Sequence, residues 1–193
     1  MKKTWIWVLG IIGAIIIFFL IIAGIIIGQY NNMVTLRENI DGSWAQVDNQ
    51  LQRRNDLIPN LVNSVKGYMK QEREIFQNVA DARARMAGAR EIPDKIEAAQ
   101  QMNTVLGRLF AVMENYPILK SDTTVIRLMD ELAGTENRIA VERRRYNEAV
   151  KFYNTVIQRF PTRIFAAVFG FEKGTYFEIE EAAKEVPKVD LDL

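Results

Sequence analysis

The chain has 193 residues, room for one domain plus an accessory segment, and sets 25 Lys and Arg against 24 Asp and Glu. This balance gives no basic footprint for nucleic acid and no field that would draw in a strongly charged partner. With no His and no Cys, imidazole bases, thiolate nucleophiles, disulfides, zinc sites and Glu-x-x-His di-iron sites are excluded, leaving carboxylate, hydroxyl, amine and amide chemistry.

No charged residue occurs from Thr4 to Leu36, and Trp5 to Ile27 is an apolar run of 23 residues broken only by Gly10, Gly13 and Gly24. As a helix it spans roughly 34 Å, enough for a hydrocarbon core of about 30 Å. It reads as a single transmembrane anchor rather than a cleaved signal peptide, whose apolar region reaches about 15 residues at most. Trp5 and Trp7 at one end and Tyr30 at the other suit the headgroup layers, and Lys2 and Lys3 favour a cytoplasmic N-terminus. That orientation puts residues 31–193 on the extracytoplasmic side of the cell membrane. Gly24 with Gly28, and Gly10 with Ala14, give small-x-x-x-small spacings that predict self-association of the membrane helix into a homo-oligomer.

After Tyr30 the pattern becomes helical: Met33, Ile40, Trp44, Val47 and Leu51 recur at spacings of three, four or their sums, and Arg54 takes the next place on that stripe. Asp56 as a cap and Pro59 in a first turn predict a break or sharp kink near residues 55–60. A second helix then runs through Leu61, Val65, Tyr68, Glu72, Phe76 and Val79 to about Met86, where Gly88 and Pro93 interrupt. The third covers roughly residues 94–116, with Ile96, Ala99, Leu106, Leu109 and Met113 on one face and Pro117 as its stop. Ser121 or Asp122 caps the fourth, whose stripe is the longest: Val125, Leu128, Leu132, Glu136, Ile139, Arg143, Tyr146, Val150, Tyr153, Ile157 and Phe160. Strand-like alternation is missing from these segments. The expected fold is all-α, with an N-terminal membrane anchor over 1–29, an antiparallel four-helix bundle over 30–161, and an aromatic C-terminal segment with an extended tail over 162–193.

Several blocks in order resemble the bacterial LemA family. They are Trp44-Ala45-Gln46-Val47-Asp48, the stretch from Gln50 to Val62, Val65-Lys66-Gly67-Tyr68, Tyr116-Pro117, the stretch from Gly134 to Ala140, Tyr146-Asn147, Tyr153-Asn154, Phe160-Pro161 and Phe169-Gly170-Phe171. The resemblance runs from the anchor to about residue 190. It implies a membrane-anchored antiparallel four-helix bundle; related proteins are linked to membrane-organelle formation and their genes often lie near that of a membrane metalloprotease, two associations that name no site here. It implies no enzymatic reaction whose residues carry over.

Arg54, Glu72, Glu136 and Arg143 occupy stripe positions that periodicity assigns to the core, where an unpartnered charge costs several kcal/mol. The expectation is an interior polar network in which Arg54 and Arg143 pair with Glu136 and Glu72 from other helices. A network that fixes helix register is preferred to a ligand-binding layer, because nothing nearby resembles a nucleophile with its base. Glu178, Glu180, Glu181, Asp190 and Asp192 lack calcium-loop spacing and read as a solvated acidic face. Arg143, Arg144 and Arg145 point about 100° apart round a helix and make no single patch. Tyr146 and Tyr153 read as packing, while Phe160, Phe165, Phe169 and Phe171 with Arg163 read as a membrane or subunit contact. The expected function is a membrane-anchored scaffold or partner-docking protein without catalytic activity, cofactor or metal, in contact with the lipid bilayer and with other membrane proteins. The alternatives are an adaptor for a membrane protease and a carboxylate-only hydrolase, which would need two acids converging in a cleft with pKa values pushed apart.

Overall fold

The computed structural model describes residues 2–178. Lys2–Lys66 form one unbroken helix, α1, followed by a turn over 67–72. Next come α2 (Arg73–Gly88), α3 (Ile92–Met113), a 3-10 turn (Pro117–Ser121), α4 (Thr123–Gln158) and the short α5 (Thr162–Phe169). Among the described residues there is no strand.

The expected break at 55–60 does not occur. Pro59 removes one helical hydrogen bond and disfavours the helix by about 3 kcal/mol. Leu51, Arg54, Ile58, Leu61 and Val65, however, step by three and four across it without a change of phase, and each is at most 2% exposed. Burying four such apolar side chains, at about 1.5–3 kcal/mol each, outweighs the missing bond. The reversal falls instead after Lys66, so Tyr68 and Glu72 lie in the turn and not on a helix stripe. Pro93 sits in the first turn of α3, where its lack of an N–H is harmless. Asp122 Oδ1 caps α4 by accepting the Thr124 and Val125 N–H groups at 2.9 and 3.1 Å.

The described residues form two compact units, one made of residues 2–42 and Glu148–Gly174, the other of Ser43–Asn147 and residues 175–178. Each draws on segments distant in sequence, whereas the division at residues 29 and 161 follows chain order. In the first unit Met33, Leu36 and Ile40 of α1 are buried, as are Val150, Tyr153 and Ile157 of α4 and Ala166 of α5. The second unit has a core fed by four helices: Ile58, Leu61 and Val65 of α1, Val79 and Ala82 of α2, Leu106 and Leu109 of α3, and Val125, Leu128 and Leu132 of α4.

Candidate functional site

Arg54 stands on the α1 stripe between Leu51 and Ile58 and is 2% exposed. A guanidinium so placed is tolerated only when its N–H donors are met. Its Nη1 donates to Glu136 Oε2 of α4 at 2.8 Å and to Asn103 Oδ1 of α3, and Nη2 donates to the Ala99 carbonyl at 3.5 Å. Burial lowers the Arg54 pKa from its usual value, and the charge and hydrogen bond of Glu136 act in the opposite sense. The group remains a cation. The Glu136 side chain is 50% exposed, so the pair has a dry end and a wet end. A hollow of about 500 Å³ adjoins it, lined by Arg54, Asn103, Leu106, Phe110, Met129 and Leu132 among others. A second hollow of about 370 Å³ shares Phe110 and Met129 and reaches Leu119, Lys120 and Ile126. Apolar walls with a polar end suit the binding of an apolar side chain or chain end.

Glu72 and Arg143 are not brought together, which corrects the expected pairing. The turn at 67–72 takes Glu72 off the core stripe, and its carboxylate accepts a hydrogen bond from Tyr116 Oη at 3.1 Å. Burial raises the Tyr116 pKa above its usual value, and the hydrogen bond to Glu72 and that carboxylate's charge raise it further. The Arg143 guanidinium lies 5.7 Å from the centre of the Phe177 ring, a cation–π contact.

Phe177 belongs to a segment whose role sequence reasoning missed. Tyr146 and Tyr153 of α4 are buried as expected of packing residues, yet their hydroxyls donate to the Thr175 and Glu172 carbonyls at 2.7 and 2.8 Å. The neighbouring asparagines grip the backbone on both sides. Asn147 donates to the Phe177 carbonyl at 3.0 Å and accepts its N–H at 2.8 Å, and Asn154 does the same to Gly174 at 3.0 and 2.8 Å. Seven helical residues rise about 10.5 Å, which three residues match only when nearly fully extended. The extended chain therefore meets α4 with Tyr-Asn recurring every seventh residue. That repeated dipeptide was the available signal.

Around the membrane helix, Trp7, Gly10, Ile11 and Ala14 line a shallow apolar hollow. A Cβ placed at Gly10, Gly24 or Gly28 would meet nothing within 4 Å, so these small residues present open surface. The aromatic group after α4 divides. Phe169 and Phe171 set their rings edge-on to Tyr30 at 5.1 and 5.8 Å, Phe165 is half-buried, and Phe160 and Arg163 are exposed. Glu178 is exposed, with its carbonyl accepting from Gln100 at 2.9 Å; Glu180, Glu181, Asp190 and Asp192 lie outside the described residues. Among the described residues no three acidic side chains gather in a way that could hold a metal ion.

Among the described residues, fold and site define an all-helical protein with one N-terminal helix long and apolar enough to cross a bilayer, none of its apolar stretch being buried. Its family follows from comparison. The chain belongs to the LemA family, whose model matches residues 43–191. It is similar to Magnetosome protein MamQ 2 of Paramagnetospirillum magneticum, 28% identical over 185 residues that cover 82% of this chain and 68% of the relative. Magnetosome protein MamQ of Magnetospirillum gryphiswaldense matches with the same identity and coverage. Protein LemA of Metamycoplasma hominis is 23% identical over 182 residues, 92% of this chain and 81% of the relative.

Proposed function

We propose that this protein is a membrane-anchored scaffold whose helical body, packed as an antiparallel four-helix bundle, docks other membrane proteins and performs no catalysis. The N-terminus is cytoplasmic, in keeping with Lys2 and Lys3, and the body lies on the other side. The observation that carries the reading is the Arg54 centre: a buried cation whose Nη1 and Nη2 donate to groups on two other helices serves to fix how those helices pack. Beside it, the apolar hollow between α3 and α4 offers Phe110, Ile126 and Met129 to a partner's side chain. The association of two relatives with the magnetosome supports a structural role over a catalytic one.

Photo-crosslinking residues placed at Ile126 and Met129 of the full chain in native membranes test this directly. Both positions should capture the same partner protein, and Asp81, exposed on α2, should not. A membrane protease as that partner would make the scaffold an adaptor. Crosslinks to lipid alone, or none from either position, would overturn the docking function.

A further inference from the structure

We propose that α5 is an interfacial membrane helix, inserting Ile164 and Val168, with the preceding Phe160, into an anionic headgroup layer beside the point where α1 leaves the bilayer. This rests on the reading that α1 spans the membrane.

The helix α5 has two unlike faces. Thr162 and Ala166, four residues apart, are buried at 7% and 4% exposure. Ile164 and Val168 form a second i, i+4 row, offset by two residues and so about 200° round the helix. They are 54% and 73% exposed, and Phe160, just before the helix, is 84% exposed. Such a row of large apolar side chains on an amphipathic helix calls for an apolar neighbour.

Its height relative to the span identifies that neighbour. Thr162 Oγ1 donates to Gln29 Oε1 at 2.9 Å, and the Phe169 and Phe171 rings sit against Tyr30. Gln29 is only about 3 Å along the helix axis from Ile27, the last residue of the apolar run. A helix about 10 Å across, docked there, overlaps the headgroup layer. Left-handed Gly170, at a φ of 72°, ends α5 and lets the Phe171 N–H close onto the Ala166 carbonyl at 2.9 Å, which turns Phe171 back toward Tyr30. Charge selects lipid over a second copy of this surface. Residues 159–171 carry Arg159 and Arg163 and no acid; two copies face to face would oppose like charges, while anionic headgroups complement them. Both arginines are exposed and can reach phosphate while the apolar row descends.

Because the chain has no Cys, single nitroxide labels are unique. The full chain would carry one label each at Ile164→Cys, Val168→Cys, Ile17→Cys in the span and Thr104→Cys on α3, in nanodiscs of phosphatidylcholine with or without phosphatidylserine. With phosphatidylserine, labels at 164 and 168 should favour oxygen over an aqueous nickel chelate, as at 17 and opposite to 104. Arg159→Gln with Arg163→Gln should shift 164 and 168 toward the pattern at 104 while leaving 17 in lipid. Labels at 164 and 168 that match 104 in both lipids, with 17 in lipid, overturn the interfacial helix alone. A water-accessible 17 overturns the span and this proposal with it. Protection that arises only when two chains share a disc assigns the surface to a second copy and also overturns the proposal.

Discussion

Arg54 and Glu136 make an unequal pair, and the inequality predicts how each responds to loss of the other. Glu136→Ala leaves a guanidinium that is 2% exposed without its counter-charge, whereas Arg54→Met leaves a carboxylate side chain that is already 50% exposed and takes up water. Glu136→Ala should therefore lower unfolding stability by about 3 kcal/mol, and Arg54→Met by about 1 kcal/mol or less. Urea unfolding of the detergent-solubilised chain would show the reverse order if the pair were not buried from the Arg54 side. Tyr116 supplies a pH test. Its raised pKa means that the neutral phenol is favoured in the folded state, so its contribution is intact below about pH 10 and is lost as pH rises through the raised value. Glu72→Gln removes the charge and should bring the phenolate titration, followed by absorbance, to lower pH; an unmoved curve would leave burial as the whole cause. Of these residues the sequence marks Arg54 correctly as a core charge, because the stripe is local; Glu136, assigned to the core by the same spacing, is exposed, and Thr135 beside it takes the buried place between Leu132 and Ile139. The sequence cannot mark Asn103 or Tyr116, whose roles come from what other helices bring to them.

At the scale of elements, the hold of α4 on residues 172–178 predicts a releasable strap. A Cβ at Gly174 would come within 3.3 Å of Ile40 Cδ1 and 3.4 Å of Val150 Cγ1, so Gly174→Val forces the strap outward. Asn154→Leu leaves the Gly174 N–H and carbonyl without their partner. Both variants should speed tryptic cleavage after Lys173 several-fold relative to the parent chain, with helicity retained. Equal resistance, measured by mass spectrometry of the digest, would show that the side-chain hydrogen bonds do not hold this segment. Here the stripes of α1 and α3 were legible from period alone, as was that of α4 apart from Glu136 and Phe160, which are exposed, and Arg143, which is half-buried. The break assigned to Asp56 and Pro59 was misread because a local helix-breaking signal of about 3 kcal/mol met a buried stripe worth more.

For the whole molecule, the bare glycine face of the span sets the question of assembly. A Cβ at Gly24 or Gly28 meets nothing within its own chain, so Gly24→Ile with Gly28→Ile leaves the protomer intact while blocking close approach of two spans. If that face joins protomers, the double variant should have a lower mass by light scattering in detergent or nanodiscs. A mass equal to that of the parent chain rules out this face. The sequence by itself determined that the protein is helical, that its first thirty residues can cross a bilayer, and which faces are apolar, because hydropathy and a period of three to four residues are properties of the chain alone. Only the tertiary structure decided where α1 ends, that Glu72 meets Tyr116 and not Arg143, and that paired Tyr-Asn side chains fasten the segment after Gly170. Those outcomes depend on which distant residues arrive at a given face, and on burial energies summed over several helices, neither of which any local window contains.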